Sequence, residues 1–241
     1  MRTLAAILWG VVIQSSVSAA EPLPAKLLDL SHWKLTLPTD TRRPGSVDEV
    51  WQPELGSFHD PKHFFANDSR DGVVFRAYCG GGTTKGSKYP RCELRELNIR
   101  GALAAWGTDD GATHAMTALL AITKTPPVRK HVVCAQIHGA DDALLMVRLE
   151  GKELLIERES EDDVALDPDY VLGKRFELKL QAAHGQVNVW YNGVPKLNWK
   201  VSRTRCYFKA GCYPQSNTEK GDAPDSYGEV VIHRLLVEHR N

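Results

Sequence analysis

The chain has almost no helical rhythm. Few stretches of its 241 residues carry apolar side chains at the three-to-four spacing that an amphipathic helix needs. Short helices are expected only near residues 61–65 and around Leu103. Excess charge is missing as well. Thirty basic residues stand against 30 acidic ones, for a formal net charge of +0. That balance argues against a general polyanion binder such as a nucleic-acid coat, so no nucleic-acid partner is expected. Any acidic ligand has to be met by a local basic patch. No Cys-x-x-Cys pair and no histidine cluster has zinc spacing, so no structural metal is expected. Beyond the N-terminus there is no linker, low-complexity tract, internal repeat or long apolar run, and no membrane partner is expected.

At the N-terminus, Met1-Arg2 precedes an apolar run over 4–13 and a Ser- and Ala-rich segment over 15–20. This is the three-part pattern of a secretory leader cleaved after Ala20. The run is about ten residues, too short to cross a bilayer. The expected organisation is a leader over 1–20 and one domain over 21–241, secreted to the exterior or the periplasm as a monomer. Export permits disulfides. The five cysteines are Cys79, Cys92, Cys134, Cys206 and Cys212, and an odd number leaves at least one thiol unpaired. Cys206 and Cys212 would lie about 20 Å apart on one extended strand, too far for a direct bridge. Cys79 and Cys92 flank a Gly-rich loop and are the favoured pair, meeting across a hairpin. Asn67-Asp68-Ser69 matches an N-glycosylation acceptor.

The chain reads as many short alternating runs separated by turns, which points to an all-β sandwich or barrel. Strands are expected over 73–78, 132–138, 144–149, 154–157, 176–180, 187–191 and 227–237. Glu150-Gly151 and His184-Gly185 read as turns, and Asn192-Gly193 as a two-residue hairpin. Some 220 residues with 42% hydrophobic content can bury one continuous core. The expected architecture is a β-jelly-roll sandwich of two antiparallel sheets with a concave cleft.

Three segments put their polar residues on a single face when read as strands, because side chains two apart point the same way. Arg91, Glu93 and Arg95 share one side, with Cys92 and Leu94 opposite. Gln136 and His138 share a face, with Ile137 opposite. Tyr207, Lys209, Tyr213 and Gln215 share a face, with Phe208, Ala210 and Cys212 turned away. Taken singly, each has a bland reading: a solvated salt-bridge ladder, a structural histidine, a polar sheet surface. Their matching parity on three strands favours one cleft offering cations, an amide, an imidazole and phenols. That set suits binding and deprotonating an acidic substrate.

Arg-x-Glu-Leu-Arg-Glu, Gln-Ile-His and Tyr-Phe-Lys-Ala-Gly-x-Tyr-x-Gln, in this order, resemble the three signature segments of the alginate lyases of polysaccharide lyase family seven. The likeness extends to residues 29–38, similar to that family's N-terminal strand, and to the loop over 83–90. Cys92 stands where Ser or Thr is usual and Cys212 where an aliphatic residue is usual, both on the core side. The resemblance implies a jelly roll, β-elimination of uronate polymers, and a catalytic set of Arg91, Gln136, His138 and Tyr213.

The residue types suit that reaction. Removing the C5 proton beside a carboxylate builds further negative charge, which Arg91 can neutralise by a bidentate grip and Gln136 by an amide N–H. His138 is a usable base near neutrality. The Tyr213 phenol can protonate the leaving oxygen, and serves as base too where both events fall on one face of the sugar. Arg95, Lys209, Tyr207 and Gln215 would bind the substrate, with Glu93 orienting Arg91 or Arg95. No metal or organic cofactor is needed. A glycoside hydrolase would need two carboxylates flanking the bond, and Glu93 and Glu96 have opposite parity. A non-catalytic uronan-binding module and a lyase for another polyuronate such as glucuronan remain alternatives. Ile137 resembles family members that accept guluronate.

Overall fold

The structure is a computed structural model that describes residues 21–240. The expected leader over 1–20 lies outside the described residues. Fifteen strands follow one another among the described residues: β1 (Trp33–Thr36), β2 (Glu49–Val50), β3 (Phe64–Ala66), β4 (Val73–Tyr78), β5 (Cys92–Glu96), β6 (Thr113–Lys124), β7 (His131–His138), β8 (Ala143–Glu150), β9 (Glu153–Arg158), β10 (Glu161–Asp167), β11 (Phe176–Ala183), β12 (Gln186–Tyr191), β13 (Val194–Lys200), β14 (Tyr207–Tyr213) and β15 (Tyr227–Arg240). They form two antiparallel sheets. One has eight strands in the order β10-β9-β8-β7-β14-β5-β1-β2, the other seven in the order β13-β12-β11-β6-β15-β4-β3. This is the two-layer jelly roll that the alternating pattern led one to expect.

The period-two pattern explains the layering. Leu178, Leu180, Val187 and Val189 from one sheet and Leu94, Ile137, Val147 and Phe208 from the other turn into one shared core. Phe208 is fully buried; truncating such a ring to Ala costs about 3–5 kcal/mol. At the predicted hairpin, Asn192 and Gly193 both take positive φ, 49° and 77°, as a tight turn between β12 and β13 requires.

Two expectations fail. The short helices do not form. Residues 61–65 make a turn that runs into β3, where Phe64 pairs with Phe75 and their rings meet edge-on at 5.1 Å. Leu103 instead forms an isolated bridge with Leu97. A single helical turn gains little on its own, whereas a strand in this sandwich buries an aromatic ring. The Cys79–Cys92 bridge is also absent, and all five cysteines are free and buried. β4 and β5 belong to different sheets, so the Gly-rich segment between them crosses from layer to layer and closes no hairpin. The residue opposite Cys92 is Cys212 of β14.

Asn67 plays a local role. Its side chain donates to Ser69 and Asp71 and accepts from the backbone N–H groups of Asp71 and Gly72, closing the turn between β3 and β4.

Candidate active site

Strand order brings the three polar segments together. β5, β14 and β7 are neighbours in the eight-stranded sheet, with β14 in the middle. Their register aligns Lys34, Arg95, Lys209, Gln136 and Met146 in one row across β1, β5, β14, β7 and β8. The adjacent rows hold Glu93 opposite Gly211, and Tyr207 opposite His138. Lys34, Arg95, Lys209, Gln136, Met146, Tyr207 and His138 line a cleft of about 730 Å³, together with Arg91, Tyr213 and Gln215, and Glu93 lies buried beneath them, bonded to Lys209, Arg91 and Gln136. All nine residues singled out in the sequence therefore meet in one place. Cys92, Leu94, Ile137, Phe208, Ala210 and Cys212 turn to the core, as parity requires.

A bulge re-aims the end of β14. Ala210 pairs with Ala135 and Tyr213 with Val133, so β14 spends one extra residue against β7. Gly211 makes this possible. Its φ is 144°, and a Cβ there would sit 2.6 Å from the Cys92 carbonyl oxygen and 2.8 Å from the Glu93 Cα. Only a residue without a side chain lets β14 approach β5 so closely.

Glu93 organises the floor. It is 1% exposed. Lys209 Nζ lies 2.5 Å from its carboxylate, Arg91 Nη1 donates to it at 3.2 Å, and Gln136 Nε2 donates to it as well. Burial alone would raise the Glu93 carboxyl, but the Lys209 ammonium and the Arg91 guanidinium hold it below its ordinary value. Burial also lowers Lys209, against the pull of Glu93 and with the help of Arg91, to about 8. A buried carboxylate with three donors fixes three cleft-facing groups at once. Each keeps spare donors: Gln136 has a second amide N–H, Lys209 two more N–H groups, and Arg91 several.

His138 is held in one tautomer. Its Nδ1 lies 2.7 Å from the Gly139 carbonyl oxygen, which can only accept, so Nδ1 carries the proton and Nε2 keeps its lone pair. Burial, with Lys209 and Arg91 nearby, lowers its pKa against the opposing effects of the Gly139 carbonyl and Glu93, so the ring is neutral at pH 7. The Tyr207 ring stacks on it at 5.1 Å. Tyr213 lies beneath the Arg91 guanidinium, 3.9 Å from its ring centroid, and its hydroxyl is 3.3 Å from Ser87 Oγ. Ser87 also accepts from Arg91 Nη2 at 2.9 Å, so one hydroxyl on the 83–90 loop touches two of the cleft groups.

The cations differ in what they hold. Lys34 is paired with Glu49, and Arg91 and Lys209 share Glu93. Arg95 has no carboxylate partner among the described residues; its guanidinium lies 3.9 Å from the Tyr207 ring centroid and its buried Nε has no acceptor. It is a cation waiting for an anion. Gln215 accepts from Arg148 Nη1 at 3.2 Å at the cleft's far side. Glu96, by contrast, is fully buried on the core side. It and Glu93 cannot flank one bond, which removes the hydrolase pair from this strand.

Several cleft residues were not singled out in the sequence, among them Lys34, Thr36, Ser87 and Met146. The polar Lys34 and Thr36 alternate with the apolar Trp33 and Leu35, a parity signal that was present but only two residues long. Ser87 comes from a loop, where no periodicity exists. Met146 is apolar, so nothing marked its face.

A family model described as alginate lyase matches residues 28–239. Alginate lyase AlgAT5 from polysaccharide lyase family 7 is 48% identical with a TM-score of 0.87, over 91% of this chain and 100% of that one. The alginate lyase from Corynebacterium sp. is 39% identical with a TM-score of 0.84, over 90% and 97%. An alginate lyase from Klebsiella pneumoniae is 24% identical over 289 residues, 92% of each chain.

Proposed function

The chain belongs to the alginate lyases of polysaccharide lyase family 7, enzymes that cleave alginate by β-elimination, and from that premise we propose how its cleft divides the work. Arg91 and the free N–H of Gln136 grip the carboxylate of the uronate being cleaved and neutralise the charge that develops as the C5 proton leaves. One preset donor of this kind contributes about 3–4 kcal/mol. On guluronate, His138 Nε2 takes the C5 proton, and the Tyr213 hydroxyl protonates the departing O4. On mannuronate, Tyr213 serves as both base and acid. Arg95, Lys209 and Lys34 bind carboxylates of neighbouring uronates, Tyr207 and Gln215 line their path, and Glu93 keeps Arg91, Gln136 and Lys209 in register. The substrate is guluronate-containing or mixed-block polymer.

The observation that carries this reading is the shared Glu93 anchor. It sets a guanidinium and an amide beside a neutral imidazole whose basic nitrogen is free. That combination neutralises a carboxylate and accepts a proton in one place. The chain acts without an added metal or organic cofactor, as a secreted monomer after loss of residues 1–20; the leader-like N-terminus supports the secretion, and N-terminal sequencing of the exported protein tests it.

The activity test follows the ultraviolet absorbance of the new C4–C5 double bond on separate guluronate-rich and mannuronate-rich polymers, with and without a chelator. Elimination gives absorbance in step with new reducing ends. Reducing ends without absorbance would mean hydrolysis, and abolition by the chelator would mean that activity depends on a bound ion.

A further inference from the structure

A second cavity, of about 530 Å³, opens on the core side of β5, where β5 ends, β6 begins and β15 ends. Two histidines line it. His114 of β6 and His239 of β15 are direct cross-strand partners, so their side chains share a face. Their Nδ1 atoms approach to 2.6 Å. Each ring is anchored at its other nitrogen by a carboxylate. His114 Nε2 lies 3.0 Å from both oxygens of Asp110, and His239 Nε2 lies 2.6 Å from Glu96 Oε1. Those anchors are themselves held. Asp110 accepts from the backbone N–H groups of Gly107 and Ala112. Glu96 accepts from Trp106 Nε1 and from the Phe208 N–H. The His114 ring also stacks on Trp106, 4.6 Å away and 13° from parallel.

Counting hydrogens shows what this arrangement is suited to. A carboxylate only accepts, so both Nε2 atoms carry protons. A neutral ring protonated at Nε2 has a bare lone pair on Nδ1. Two such lone pairs aimed at each other repel unless something positive sits between them. A carboxylate on the far nitrogen of each ring is also the usual outer partner of a metal-ligating histidine, where it fixes the tautomer and raises the basicity of the ligating nitrogen. Here that pattern occurs twice, on two converging rings.

We propose that His114 and His239 bind a divalent transition-metal cation of the zinc, copper and nickel class through their Nδ1 atoms, with water from the cavity completing its coordination. Imidazole nitrogen suits these ions, whereas magnesium and calcium prefer oxygen. Tetrahedral zinc at about 2.0–2.1 Å from each nitrogen needs the two nitrogens roughly 3.3 Å apart. The rings must therefore part by about 0.7 Å, a shift on the order of a third of that bond length. His114 is enclosed, but the His239 side chain is 38% exposed and is the one free to retreat. Among the described residues no group of three or more His, Cys, Asp or Glu side chains gathers to hold an ion, so this is a two-nitrogen site. It lies behind the catalytic layer. Glu96 follows Arg95 in β5 and holds the N–H next to Tyr207, so a cation there braces the cleft floor through the second sheet and takes no part in elimination.

The test uses the untagged full-length chain and Zn²⁺ alone, followed by calorimetric titration. One saturable Zn²⁺ per chain is expected, lost in His239→Gln and kept in His59→Gln, which alters an exposed histidine elsewhere. Nitrogen-15 spectra should show the Nδ1 signals of His114 and His239 moving on Zn²⁺ addition while their Nε2 atoms stay protonated. The His239 side chain is the more exposed of the two, 38% against 6%, so its variant comes first; because it also takes a donor from buried Glu96, its fold is checked by circular dichroism, as is that of the second variant, His114→Gln. The proposal is overturned by the absence of saturable Zn²⁺ binding, by binding that survives His239→Gln, by loss in His59→Gln, or by Mg²⁺ binding at the same place with equal strength.

Discussion

Tyr213→Phe removes one oxygen from the cleft and leaves nearly everything else. The ring keeps its place under the Arg91 guanidinium at 3.9 Å and beside Tyr89 at 6.2 Å. What disappears is the hydroxyl and its 3.3 Å contact with Ser87. A single hydrogen bond of this kind contributes about 0.5–1.5 kcal/mol to stability. In a domain of this size, 1 kcal/mol moves Tm by roughly 2–4 °C, so the variant should melt within a few degrees of the parent. The chemical loss is of another order. General acid–base groups contribute about 10²–10⁴-fold, and even the low end is about 2.7 kcal/mol of barrier. The assay is the initial rate of double-bond absorbance against alginate concentration, beside a thermal melt. We expect kcat and kcat/KM to fall together by at least about 10²-fold, since an acid that acts only in the transition state leaves ground-state binding untouched. A ring that only stacked on sugar would instead change KM, and Phe would preserve most of that. An ordinary kcat in a folded Tyr213→Phe enzyme would refute the assignment, with Tyr207 the next phenol to test. Ser87→Ala makes the converse change, sparing the phenol but freeing it, and should cost less.

His138→Ala should lower turnover on guluronate-rich polymer by about 10²–10⁴-fold with a smaller loss on mannuronate-rich polymer; equal losses on both would assign the two substrates one base. Because burial, Lys209 and Arg91 disfavour the imidazolium, the acid limb of kcat/KM on guluronate-rich polymer should lie below the ordinary histidine value near 6.5. Activity is lost as pH falls through that limb, and a limb above 6.5 would contradict the burial argument. Lys209 loses its charge near pH 8, so KM for alginate should climb above that pH, and the climb should vanish in Lys209→Met. Gly211→Ala forces a Cβ against the Cys92 carbonyl at 2.6 Å and should destabilise the fold by about 1–3 kcal/mol; a melt within a degree of the parent would show that β14 and β5 can part at no cost.

Parity along a strand is a local property, and most of the cleft was legible because of it. Arg91, Glu93 and Arg95, Gln136 and His138, and Tyr207 to Gln215 each announced a polar face within a few residues of chain. The strand over 73–78 was readable from its own β-forming residues, and the Asn192-Gly193 turn from its two residue types. The alternation alone argued for two packed antiparallel sheets, and the three motifs for a uronate lyase. What the chain order does not contain is register between strands far apart. Glu93 becomes the anchor of Arg91, Gln136 and Lys209 only because β14 lies between β5 and β7, which places residues 43 positions apart in contact. Lys34 joins the cationic row through β1, and Ser87 reaches Tyr213 from a loop with no pattern to read. The expected Cys79–Cys92 bridge failed on the same ground, since nearness along the chain did not show that β4 and β5 lie in opposite layers. His114 and His239 stand 125 residues apart, with no metal-binding spacing between them, and meet because β6 and β15 pair along most of their length. Side-chain alternation is written residue by residue, whereas the partner of each strand is chosen by the packing of the whole sandwich.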